Sequence, residues 1–187
     1  MQDQVLTLVQ LEDAMFQVTA LCLGVDANAP DAQGRIRISW PTGADGGSNP
    51  GWERDDDVCF LRIVPYRDPY GALIDEQYVQ DDGALVKRTS YTRCYEVSWI
   101  CYGPHALETA DELRIGILDD PARELLRTRY HLYPLPHIQD PIRADELDSG
   151  QWWHRCDLTA RFYEDVVRER VAKGIEQVSI KTQTERG

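Results

Sequence analysis

Basic residues are scarce in this sequence: 20 Lys plus Arg stand against 32 Asp plus Glu in 187 residues, a formal charge of −12. So acidic a surface does not hold a nucleic-acid backbone tightly through charge alone. Long apolar runs are missing too. None approaches the ~18 residues that span a bilayer, so no membrane contact is expected, and the N-terminus, MQDQVLTLVQLEDAM, is acidic and unlike a signal peptide. A cytosolic origin is expected. The five cysteines (Cys22, Cys59, Cys94, Cys101, Cys156) contain no CxxC pair and lie inside apolar patterns. That distribution predicts buried reduced thiols rather than a disulfide framework. There is no GxSxG, GxxxxGK[ST] or GxGxxG. The glycine run Gly43, Gly46, Gly47 precedes no helix and has no lysine, so it makes no phosphate cradle.

What is present is strong period-two patterning. From Tyr91 to Tyr102, Tyr91, Arg93, Tyr95, Val97, Trp99 and Cys101 alternate with Thr92, Cys94, Glu96, Ser98, Ile100 and Tyr102, as a strand requires. Twelve residues at about 3.3 Å each span roughly 40 Å, enough to cross a sheet and project past it. Gly103 and Pro104 end the strand, and a helix over about Pro104–Leu118 follows, with Ala106, Ala110, Leu113 and Ile117 on one stripe. A second alternating stretch, Gln151–Val167, sets Trp152, His154, Cys156, Leu158, Ala160, Phe162 and Val166 against Trp153, Arg155, Asp157, Thr159, Arg161 and Tyr163.

The remaining elements fit around these two strands. Residues 3–24 carry apolar side chains at helical spacing and predict an amphipathic helix that packs on the sheet. Arg35–Trp40 is a short strand, and Asp57–Tyr66, apolar on both faces, is a central one ending at Pro65. Residues 73–91 make a hairpin about Asp81, Asp82 and Gly83. Asp120 and Pro121 start a short helix as cap and first residue, and the proline-rich segment 133–150 is an extended connector. Residues 1–187 are expected to form one domain, with a flexible or docked loop at 41–56 and a C-terminal extension at 171–187 in which Val178 and Ile180 suggest an edge strand. The fold class is α+β: an α/β sandwich whose mixed, mainly antiparallel sheet has long strands and is flanked by the N-terminal helix and a second helix.

No reactive constellation emerges. His131 and His137, with His154 or Cys156, match no metal-ligand spacing. The acidic groups Asp55–Asp56–Asp57, Asp81–Asp82 and Asp119–Asp120 lie at predicted turns, where Asp bonds to local backbone. The enzyme alternative is a small cytosolic enzyme using Cys101 with His105, Cys156 with His154, or the Asp55–Asp57 cluster. It is disfavoured because Cys156 lies on the apolar strand face. The five tryptophans and nine tyrosines lack the interleaved Lys and Arg of a base-stacking platform and are read as core and interface rings. No catalytic residue, cofactor or metal is expected.

The segments PGWERDDDVCFLRIVP (50–65), YEVSWICYGPHALETADELRIGI (95–117) and GQWWHRCDLTARFYE (150–164) together resemble a bacteriophage neck or tail terminator protein family. The resemblance implies a structural virion protein: a homohexameric ring at the head–tail junction, assembled in the host cytoplasm. Such a ring ends tail tube assembly, joins the tail to the capsid connector and lets duplex DNA pass without specific binding. Implied partners are the tail tube protein, the head–tail connector or adaptor and the sheath protein. Binding is then expected on loops and projecting strand ends, at Trp52, Asp55, Asp56, Asp81, Asp82, Arg155, Asp157 and Arg161.

Overall fold

The structure, a computed structural model, describes residues 3–38, 51–81, 83–148 and 150–172. Helix α1 runs over Leu8–Cys22. It starts five residues later than its apolar spacing suggests because Thr7 and Gln10 form a reciprocal capping box: Thr7 Oγ1 accepts the Gln10 N–H and Gln10 Oε1 accepts that of Thr7 at 2.8 Å. Residues before it run beside the sheet, where Gln4 makes a bridge to Val167. A four-residue helix α2 (Ala32–Arg35) leads into strand β1 (Ile36–Ile38), and strand β2 spans Val58–Pro65. Trp40, most of the 41–56 loop, Asp82, and the extension beyond residue 172 with Val178 and Ile180 lie outside the described residues.

Strand β3 (Ile74–Asp81) and the long strand β4 (Ala84–Tyr102) form the expected hairpin, with Asp81 opposite Ala84. Strand β4 is continuous from the hairpin to Gly103, so the strand read from Tyr91 extends back to Ala84. At Gly103, φ is 113°, and a Cβ would lie 2.5 Å from Asp57 Oδ1 and 2.6 Å from the Asp56 carbonyl. Only glycine passes the chain into the next helix here. Helix α3 covers Ala106–Gly116 with His105 as cap, so Pro104 precedes the helix instead of lying in its first turn. Ala106, Ala110, Leu113 and Ile117 are all buried, as their spacing predicts.

Helix α4 (Asp120–Tyr130) is capped by Asp119, one residue earlier than expected, and ends at His131 in the left-handed region (φ 53°). The proline-rich connector is not purely connecting: it contributes β5 (Leu132–Pro134), β6 (Ile142–Arg143) and β7 (Glu146–Asp148). The second long strand is also two. Strand β8 (Gln151–Trp153) pairs with β7, the chain breaks at His154, and β9 (Arg155–Val171) pairs with β4 throughout. Trp152 and His154 therefore leave the apolar face assigned to them by simple alternation; Trp152 is 63% exposed.

The main sheet runs β1-β2-β4-β9-β5, with β3 beside β4 and β6 beside β9. Only β1–β2 is parallel among the pairs described. Along one edge of β4, β2 covers Tyr95–Tyr102 and β3 covers Ala84–Tyr91; a 3-10 turn, Pro69–Ala72, lies between them in the chain. Helices α1, α3 and α4 cover one face, over a core that includes Met15, Leu61, Trp99, Leu113, Leu126 and Phe162. The Trp99 indole N–H donates to Thr19 Oγ1 at 2.8 Å, so this fully buried ring keeps its donor satisfied. On the opposite face a smaller cluster gathers Trp52, Val58, Phe60, Ile100, Tyr102 and Trp153.

Candidate interaction surface

The sheet face away from the helices changes character along its length because β2, β4 and β9 are in register. Rows Val58–Tyr102–Arg155 and Phe60–Ile100–Asp157 are mostly apolar; rows Arg62–Ser98–Thr159 and Val64–Glu96–Arg161 are mostly polar. Trp52 covers the apolar end, with its ring 5.0 Å from Tyr102 and 4.8 Å from Trp153. Both indole N–H groups are buried and have no hydrogen-bond partner among the described residues. The β7–β8 hairpin holds Trp153 there, while Glu146 accepts from Tyr102 Oη at 2.8 Å.

Charges on this face are paired. Arg155 donates from Nε and Nη2 to the two carboxylate oxygens of Asp157, both at 2.8 Å, and reaches Glu146 at 3.2 Å. The bond to Asp157 raises its already high pKa. Arg161 pairs with Glu96 at 3.2 Å and lies over the Tyr66 ring at 3.8 Å. The pairings make a polar, near-neutral surface on a strongly acidic chain.

At the far end the hairpin β3–β4, extended by β9, forms a three-stranded arm. Nearly all of β3 is exposed, and among the described residues it pairs only with β4. Among the described residues its other edge is unpaired, and Asp75, Glu76 and Asp81 lie along the strand as charged guards.

The residues singled out in the sequence do not form one site. Trp52, Arg155 and Asp157 meet at the apolar end, where Trp52 is 8% exposed and packs on Phe60, Tyr102 and Trp153. Asp55 is exposed beside Arg54, and Asp56 accepts the Glu53 N–H at 2.8 Å, closing a turn. Asp81 stands at the arm tip, about 60 Å along β4 from Tyr102 at the usual rise per residue. Arg161 sits midway along the polar rows. Asp82 lies outside the described residues.

The Cys/His pairs do not form nucleophile dyads. Cys101 and Cys156 are buried. The Cys59 sulfur, 3.6 Å away, and burial hold the Cys101 thiol well above its usual pKa, and burial raises that of Cys156. His105 turns outward to Asp57 at 2.9 Å and His154 to Asp145 at 3.5 Å. Asp55, Asp56 and Asp57 diverge to three partners, and the described residues hold no group of three side chains placed for a metal.

Two features escaped the sequence reading. Glu164, 1% exposed, sits on the apolar face of β9. It accepts the Leu6 N–H at 2.7 Å, Arg93 Nε at 2.8 Å and Tyr95 Oη at 3.0 Å. Its signal was an acidic residue between Phe162 and Val166 in strand register, answered by Arg93 on the other long strand. The β7–β8 hairpin was hidden because Gln151–Trp153 continues the alternation of β9.

The described residues form a long-stranded α+β fold with an exposed arm and a polar sheet face. A family model described as phage neck terminator protein matches residues 10–186, nearly the whole chain, and the chain belongs to that family. It is therefore a structural phage protein of the neck, with a role at the head–tail junction and contacts to other head–tail proteins. No curated protein matches the chain. Among the described residues no helix is long and apolar enough to cross a membrane.

Proposed function

We propose that the protein forms a homohexameric ring at the head–tail junction. The ring ends polymerisation of the tail tube, receives the capsid connector or adaptor and the sheath protein, and leaves a central passage for DNA. It performs no chemistry of its own and assembles in the host cytoplasm before joining the virion. The family match over residues 10–186 carries this reading.

Two physical features support it. A heterologous contact that closes by rotation generates a ring, and the arm, the exposed β3 edge and the polar sheet face give each copy distinct surfaces for such a contact. A charge of −12 per chain, repeated around a passage, repels a duplex and lets it slide without sticking. Light scattering on the assembled protein should give a particle near six times 21.4 kDa, and added protein should arrest the growth of purified tail tubes. A strict monomer that leaves tube growth unchanged overturns the reading.

A further inference from the structure

We propose that neighbouring copies join by seating the Leu147–Trp152 knob of one chain in the apolar groove beside the first turn of α1 of the next. The inference rests on the ring reading above and names the surfaces that would build it.

The knob is the outer face of the β7–β8 hairpin. Leu147 and Trp152 are directly opposite in register and are 57% and 63% exposed; Ile142, on the neighbouring β6, is 62% exposed. The inner face is fixed: Trp153 packs on Trp52, and Glu146 is held by Tyr102 and Arg155. A large aromatic ring thus projects from an anchored hairpin, with little further ordering needed on binding.

The groove is about 560 Å³ and is lined by Leu6, Leu8, Leu11, Ile63, Pro65 and Tyr91 among others. It opens beside β4, where β2 gives way to β3. Leu8, Leu73 and Ile74 on or near its rim are each about 60% exposed. The knob lies by the Tyr102 end of β4 and the groove by its middle, Tyr91–Tyr95, roughly 25–35 Å apart at the usual rise per residue. Each copy can therefore use both at once, which is the head-to-tail geometry a closed ring requires.

Area and the presence of both surfaces on every chain favour a second copy as the occupant. Six large side chains more than half exposed offer on the order of 100 Å² each. With the polar rim, such a patch approaches the roughly 1,000–1,200 Å² at which specific interfaces begin.

The test combines mass and cross-linking on the full chain. Wild-type protein is first shown to be an oligomer by light scattering. Trp152→Asp and Leu8→Asp, both at exposed positions, should each lower the assembled fraction at least tenfold while leaving the circular dichroism spectrum and Tm unchanged. Mixing differently tagged Trp152→Cys and Leu8→Cys chains should give a disulfide between tags. A wild type that stays monomeric overturns the ring reading and this contact together. An oligomer that survives Trp152→Asp without cross-linking overturns the contact alone. So does an unchanged oligomer in which Trp152→Asp abolishes only tube capping, because the knob then serves a different protein.

Discussion

Arg93 and Glu164 face each other in register across β4 and β9, with Nη2 and Oε2 2.6 Å apart. The carboxylate is almost wholly buried and also holds the Leu6 N–H, so one ion pair ties the approach to α1 to both long strands.

Removing one member of this pair leaves the other uncompensated. Glu164→Ala should destabilise the fold by about 3–5 kcal/mol, read as a lower urea midpoint with an unchanged slope. It should also speed hydrogen exchange at the Leu6 amide. The double substitution Arg93→Met, Glu164→Leu should cost clearly less than Glu164→Ala, since no lone charge remains.

The cluster around Trp52 predicts a graded response. Trp52→Ala should cost about 3–5 kcal/mol through the cavity it opens against Phe60, Tyr102 and Trp153. Trp52→Phe should recover a large part of that loss, because it keeps an aromatic ring and removes a buried N–H that has no partner among the described residues. Thermal unfolding of the two variants separates the effects.

His105 links stability to pH. Its bond to Asp57 raises its pKa above the ordinary 6.5, so folding takes up a proton more readily than the unfolded chain. The resulting stabilisation is fully present below about pH 6.5 and fades as pH rises through the folded value. The Tm difference between wild type and His105→Gln should therefore be larger at pH 6 than at pH 8.5. A pH-independent difference would refute the linkage.

The thiols should behave as packing groups. Burial lifts Cys94 to about 11 and Cys22 to about 12, and Cys101 and Cys156 are raised as well. Iodoacetamide at pH 8 should label the folded protein slowly at these positions and label all five cysteines in denaturant, as intact-mass spectrometry would show.

The long strands, the helical stripe Ala106–Ala110–Leu113–Ile117 and the hairpin at Gly83 were legible because each depends on local periodicity or turn chemistry. The break at His154 was not. Alternation runs unbroken from Gln151 into β9, and only pairing with β7, a short stretch inside a proline-rich segment, diverts the first three residues. Trp52 shows the same limit: its chemistry promised a docked ring, but that Trp153 and Tyr102 receive it depends on contacts distant in the chain. Glu164 was passed over because a lone acid in an apolar stripe becomes meaningful only once Arg93 is known to lie opposite. No contact surface was marked by a motif, since interfaces of this kind are defined by exposure and shape after folding.

Strand β4 gives up one neighbour, β2, after Tyr95 and acquires another, β3, at Tyr91, yet remains bonded to β9 along its other side from Val86 to Tyr102. The handover occurs without a joint. The arm is a cantilever cut from the same plank as the body, so a load at its tip tilts the sheet together with the helices packed on it instead of swinging the arm alone.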